Sequence, residues 1–483
     1  LLTRTLLPVI LSLSALYGFL MIYRKTTAGL FKVGIPVWIS IPSAVLLLIL
    51  LLSDLLHAAL PHGMVDPLIT YAVQPDRWLD AGGMYFLSET QFSLFPLIGE
   101  MLSVWPASLA HGRVDQLVIL QVFQMSLLVA TFITAVRING LSKSVLLAAL
   151  LVGLSSEILV NWGAWAKVDM TAIFFVTVAL AELFRCCNSS NSKISLFVWF
   201  LLGLSFSVKY TAVLAVIAVF PFLLLSVRRE NHWRKNLFYG ILLLISIPVV
   251  FAIRNILITG EPFYPFKVPV FHANESWMKE SIASITAVKS HGSAGFFQNV
   301  IALFKSWSVA GILFLIGILS SAFRRNKRCL IPLFVVLVYT ILSCFAFDPL
   351  SWGAKYAILL IPSMAVAGLF WLRDHMKVVL GALTVLLLLT SSEIGRLEFI
   401  AGFVTDSSSL SFRSHDYPPA MPLQIWMNEN LPDDSRLLSL WRPERYFSDN
   451  EVIVAQNHPD GIELFLDDEL EEELSILDRM DVD

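Results

Sequence analysis

Seven ionisable residues, Asp66, Lys167, Asp169, Lys209, Arg254, Asp348 and Lys355, stand at the ends of long apolar stretches. All seven fall in connections that alternate with strongly basic ones, which puts them on one side of a membrane. Charged groups at such positions are costly to keep dry and mark a site or a pathway. Acids and bases share that face, which simple anchoring does not require. Each residue also has a plainer reading. Asp66 precedes Pro67 and suits a helix N-cap followed by a first-turn proline, Asp169 suits the cap of the span it precedes, and Lys167 suits a snorkelling side chain. Arg254, Lys209 and Lys355 suit anchors at headgroups. The candidate chemical centre is Asp66, which lies in a polar, Gly- and Pro-punctuated stretch from Ala58 to Gln91.

These residues are positioned by an overwhelmingly apolar chain. Hydrophobic residues make up 57% of the 483 positions and charged residues 15%, the balance of a membrane protein. Charge is split along the chain: 21 acidic and 6 basic residues from Ser392 onward, 16 acidic and 28 basic before it. Apolar segments of membrane-spanning length are expected near 6–23, 34–57, 115–136, 144–163, 169–185, 194–208, 210–227, 237–254, 308–323, 329–346, 356–372 and 377–392. The fold class is therefore mainly α, a polytopic membrane protein with about 12 transmembrane helices. Dense basic clusters such as Arg228-Arg229, Arg234-Lys235 and Arg324-Arg325-Asn326-Lys327-Arg328 all fall on one face, which is read as cytoplasmic. The seven ionisable span ends lie on the opposite, extracytoplasmic face of a plasma membrane.

Two domains are expected: a transmembrane domain over 1–392, with outer loops at 58–114 and 255–307, and an extracytoplasmic acidic tail over 393–483. In the first outer loop, residues 95–110 are apolar, too short to cross and carry Glu100, which reads as an interfacial helix. In the second, Trp277, Phe296, Phe297 and Trp307 interleave with Lys279, Lys289 and Lys305, as in a segment lying at lipid headgroups. The tail reads as a short helix, a turn at Pro432-Asp433-Asp434 and a strand after it, a second strand at 451–455 and a helix at 461–480, a small α/β domain. Leu1 in place of Met and the unfinished pattern after Met480 make both termini read as clipped. Four cysteines, two of them adjacent at Cys186 and Cys187, give neither a metal-ligand spacing nor a disulfide framework. No Walker loop, GxGxxG or HExxH motif is present.

Spacing within the first loop adds a family likeness. From Asp66, Leu68 falls at +2, Pro75 at +9, Leu79 at +13 and Ala81-Gly82 at +15 and +16. This resembles the first outer loop of polytopic glycosyltransferases of the GT-C class, in the bacterial branch related to protein mannosyltransferases and lipid A aminoarabinose transferases. The sequence departs from that pattern at Thr70, where Tyr is usual, at Tyr71, where His is usual, and at Asp76, which replaces Lys. PLIGEMLSVW at 96–105, Lys167-Val168-Asp169, GLSFSVKYTAVL at 203–214 and RNILITGEPFYPF at 254–266 resemble further pieces in the family's order. Glu261 stands there in place of Asn, and Lys355-Tyr356 replaces the usual Arg-Tyr.

The resemblance implies transfer of a hexosyl or pentosyl group from a polyprenyl-phosphate donor to a glycan, lipid or protein acceptor outside the cytoplasm, with inversion. Asp66 is then the general base, and Lys355, Lys209 and Arg254 are the donor phosphate-binding groups, with Lys355 ranked first. Asp169, Lys167, Tyr71 and Glu100 would position the acceptor, and Asp66 with Asp169 would hold a divalent cation, Mg or Mn, if one is used. Membrane lipids are expected partners and nucleic acid is not. Rival readings are a transporter or flippase of lipid-linked saccharides, a polysaccharide polymerase, and a family member without activity.

Overall fold

The computed structural model describes residues 36–59, 71–87, 91–110, 113–188, 196–228, 232–264, 296–323, 330–346, 358–389, 430–432, 436–439 and 451–454. The first expected span, at 6–23, lies outside them. In chain order the helices are α1 (Val37–Ala58), α2 (Val73–Asp80), α3 (Ile98–Ala107), α4 (Arg113–Ile138), α5 (Lys143–Leu154), α6 (Glu157–Ala164) and α7 (Asp169–Asn188). They continue as α8 (Leu196–Val208), α9 (Val213–Val227), α10 (Trp233–Thr259), α11 (Phe296–Phe323), α12 (Leu330–Ala346), α13 (Ile361–Leu372) and α14 (Met376–Leu388). β1 (Arg436–Ser439) and β2 (Glu451–Val454) pair in parallel, with Arg436 opposite Glu451. These strands fall where the sequence predicts them; the rest of the expected tail domain lies outside the described residues.

Among the described residues, four segments are long and apolar enough to cross a membrane, α1, most of α4, Tyr210–Val227 around α9, and α10, or five if the bent α5–α6 pair is one span. The chain is an integral membrane protein. α10 shows most directly what solvates it, since Phe238, Val250 and Leu257 are exposed along a helix with little polar surface. Such a surface needs lipid around it. Other expected spans are helical but short. α8, α13 and α14 run 13, 12 and 13 residues, about 20 Å at 1.5 Å per residue, against a hydrocarbon core of about 30 Å. Twelve full spans are thus not reached by length and composition among the described residues.

Two expectations are corrected. The span predicted at 144–163 is broken into α5 and α6, which meet at 74°. Ser155 and Ser156 occupy the break, where hydroxyl side chains compete for backbone hydrogen bonds and favour a kink. The last part of the outer loop predicted at 255–307 is helical, since α11 begins at Phe296, while its apolar stretch starts at Val309, close to the predicted span at 308–323. Trp307 is buried within that helix rather than set at headgroups.

α7, α8 and α10 form consecutive packed neighbours, with α4 against α7, and α11 lies along α13. The α11–α13 crossing is very close. A side-chain carbon at Gly317 would stand 2.8 Å from the carbonyl oxygen of Gly368, and one at Gly368 would stand 2.6 Å from that of Leu313. Glycine on both helices lets the backbones touch, the usual device of membrane helix pairs.

Candidate functional site

The site is built where the N-terminal end of α7 and the C-terminal ends of α8 and α10 meet α3. α3 is folded inside out relative to a water-facing helix. Met101, Leu102 and Trp105 are exposed, while Glu100 and Ser103 are buried. An apolar outer face with polar residues turned inward suits a helix lying against lipid. Gly99 sets its depth: a side-chain carbon there would fall 2.4 Å from Cβ of Val168. Only glycine lets α3 rest on the turn that carries Lys167 and Asp169. A 3-10 turn at Gln91–Leu94 precedes α3, so the predicted helix over 95–110 is shorter than expected.

Asp169 opens α7, and its Oδ1 accepts from Nζ of Lys209, which follows α8. The aspartate is buried and the lysine partly exposed. Oδ2 of Asp169 is buried without a hydrogen-bond partner among the described residues. The Lys209 ammonium also lies 5.5 Å from the centroid of the Trp162 ring, while Lys167 Nζ lies 4.5 Å from Trp162 and 5.1 Å from Trp165. Two ammonium groups thus share one indole delivered by α6. Cation–π attraction of this kind contributes about 0.5–2 kcal/mol per pair, more when dry. Lys167 is buried, not snorkelling to water as its plainer reading would have it.

Arg254 occupies the last turns of α10. Its Nη2 donates to the carbonyl of Phe95 at 2.9 Å and to Oδ1 of Asn255 at 2.8 Å, and its Nε donates to the same Oδ1 at 3.1 Å. Asn255 is in turn fixed, its Nδ2 donating to the carbonyl of Leu94 at 2.8 Å. Two side chains of α10 therefore hold the approach to α3 in place. Gly260, at φ 79°, ends α10 in the left-handed conformation, and the chain turns back so that the backbone N–H of Glu261 donates to Thr259 Oγ1 at 3.1 Å. The Arg254 guanidinium lies 5.2 Å from the Phe251 ring, which with Phe206, Tyr210 and Phe263 lines a small aromatic cleft.

Glu100 connects the two halves of the site electrostatically. Burial pushes its carboxyl up to about 8, against the lowering by a backbone hydrogen bond and by the charges of Arg254 and Lys209; Asp169 adds to the rise. Burial thus favours the protonated form near pH 7, which can donate a hydrogen bond. Its Oε2 is buried without a partner among the described residues.

Of the residues singled out in the sequence, Asp169, Lys167, Lys209, Arg254 and Glu100 come together here. Tyr71 is half-buried and packs on the main apolar core. Asp66, Asp348 and Lys355 lie outside the described residues. Asn255 and Trp162 were not predicted as site residues. The signals were an Arg-Asn pair ahead of a glycine helix stop and a Trp-rich segment leading into Lys167. No group of three or more His, Cys, Asp or Glu side chains is placed for a metal among the described residues. Asp169, with one oxygen on Lys209, does not by itself make a cation site.

No curated protein matches the chain. Two crystal structures of ArnT from Cupriavidus metallidurans align with it, each at 13% identity and covering 86% of this chain and 85% of that chain. The TM-score is 0.41 for the apo state and 0.40 for the form bound to undecaprenyl phosphate. A family described as a domain of unknown function, DUF8201, matches residues 111–375, a stretch that includes Lys167, Asp169, Lys209 and Arg254. More than half of the sequence lies within that match, and the chain belongs to the DUF8201 family.

Proposed function

We propose that the protein is a membrane glycosyltransferase that takes a sugar from a polyprenyl-phosphate donor and passes it to a hydroxyl acceptor on the extracytoplasmic side. The observation that carries this reading is Arg254. Its guanidinium is half-buried at the end of a lipid-facing helix, held by a carbonyl and a carboxamide oxygen, neither of which neutralises its charge. A cation fixed in this way is prepared for an anion that is itself confined near the headgroup plane. The aromatic cleft beside it suits the first isoprene units of such a carrier. Lys209 serves the phosphate less directly, because it is already paired with Asp169.

In the reaction, Asp66 takes the acceptor hydroxyl proton as the oxygen attacks the anomeric carbon. The bond from that carbon to the phosphate oxygen breaks, and the electron pair leaves with the phosphate, with inversion. Phosphate is a good leaving group, so a base and an anion holder suffice. Lys355 is a second anion holder on the resemblance to GT-C enzymes. Glu100, in its protonated form, donates a hydrogen bond to the sugar or acceptor, and Lys167 and Tyr71 help to orient it. A divalent cation would fall to Asp66 and Asp169, and no step above depends on one.

The test is transfer from a panel of radiolabelled polyprenyl-phosphate sugars in membranes, with Asp66→Asn and Arg254→Ala beside the wild type. Transfer by wild type that Asp66→Asn abolishes, at equal expression and with donor still bound, is the expected result. Movement of a lipid-linked sugar across the membrane without covalent transfer would instead make the protein a flippase.

A further inference from the structure

At the opposite, basic end of the bundle, an apolar cavity lies between α12 and the group formed by α4, α7 and α13. Its walls include Ala135, Leu180, Phe184, Val335 and Ala367, and about 580 Å³ of space, part of it open to the surroundings, lies among them. α12 packs chiefly on α9 and α11, which leaves its Ile331–Val336 flank facing this space. The polar groups within it are few: Asn139 donates to the Ala135 carbonyl, and Ser363 donates to Thr177. A closed protein interior fills such a space with side chains. A bundle solvated by lipid can fill it with hydrocarbon.

Three further observations say what kind of lipid. Trp371 is buried, and its indole N–H has no partner among the described residues. Its ring packs on Phe184 at 5.5 Å and Phe314 at 6.3 Å, both of which line the cavity. Arg373 lies 4.7 Å over Phe370, which stacks on the same Phe184 at 4.8 Å. The Arg373 guanidinium also has Asp374 Oδ1 at 4.0 Å. A buried unused donor and an exposed arginine therefore stand near one end of an apolar slot. Charge bias puts this end in the cytoplasmic leaflet, where basic pockets between membrane helices take anionic headgroups.

We propose that this cavity holds an acyl chain of an anionic phospholipid, with its phosphate at Arg373 and an ester carbonyl accepting from Trp371. Neither Asp66 nor Arg254 takes part, so lipid retention is read separately from sugar transfer.

The test is native mass spectrometry of the full chain in mild detergent, incubated with phosphatidylglycerol or phosphatidylcholine at matched concentration. Wild type is expected to keep one phosphatidylglycerol under activation that strips phosphatidylcholine. Ala367→Phe, which fills the slot, should lose it, and Ala181→Leu, a milder filling, should weaken it. Arg373→Gln should lower phosphatidylglycerol retention about fivefold while leaving phosphatidylcholine unchanged. Equal retention of the two lipids by wild type overturns the proposal. So does undiminished retention by both filled variants when their melting temperatures match wild type. A wild type that keeps no lipid also overturns it, and would mean that another part of the chain or a second copy fills the slot.

Discussion

Nη2 of Arg254 donates to the carbonyl oxygen of Phe95 at 2.9 Å, tying the end of a lipid-facing span to the chain that enters α3. The same group is thus a structural tie and the proposed phosphate holder. Arg254→Lys keeps the charge but loses the planar fork that serves Phe95 and Asn255 together. The expected result is a fall in transfer of about 100-fold or more, the usual effect of removing a fixed donor to developing charge. Arg254→Ala should fall further. Initial rates at several donor concentrations check both.

Asp169 and Lys209 are separated by 40 residues and paired across α7 and the end of α8. Lys209→Met leaves a buried carboxylate uncompensated and should cost about 3 kcal/mol. Asp169→Asn should cost less, because the surviving lysine is partly exposed and keeps Trp162 beside it. The double replacement should be more stable than Lys209→Met alone. Thermal unfolding in a double-mutant cycle measures the coupling.

Glu100 makes stability depend on pH with a definite sign. Its carboxyl titrates near 8 in the folded protein against an ordinary value of 4.5, so the folded state binds the proton more tightly. Its contribution is therefore fully present below about pH 4.5 and is lost as pH rises through 8. Melting temperature should decline across this window in wild type and decline less in Glu100→Gln. Identical profiles for the two proteins would show that Glu100 ionises freely.

Gly99 is expected to tolerate no side chain. Gly99→Ala puts a methyl group 2.4 Å from Cβ of Val168 and should cost about 1–3 kcal/mol as α3 is pushed off the turn. Val168→Gly removes the opposing carbon, and the pair of substitutions should recover part of the loss. Melting temperatures of the three variants decide it.

Apolar runs and alternating basic loops made the membrane class legible, because both follow from transfer of side chains between water and hydrocarbon. The gathering of Asp169, Lys209 and Arg254 was legible as a shared side, not as contacts. Their pairing depends on how α7, α8 and α10 pack, which no local spacing encodes. Phe296, Phe297, Lys305 and Trp307 misled, since aromatic and basic residues mix in the same way at an interface and on a long helix with one buried face. Asn255 went unnoticed because its role is to satisfy Leu94 and hold Arg254, and an asparagine beside an arginine looks ordinary until the backbone carbonyls around it are known.

The 74° break between α5 and α6 has a consequence for salt dependence. Eight residues continuing straight would advance about 12 Å along the axis of α5; at this angle they advance only about 3 Å. The turn that bears Lys167 and Asp169 is therefore recessed by about 9 Å relative to an unbroken span. Asp169, which opens α7 at that turn, is buried beside Lys209, so mobile ions are expected to screen this pair less than charges on an open surface, where the Debye length is about 8 Å at physiological ionic strength.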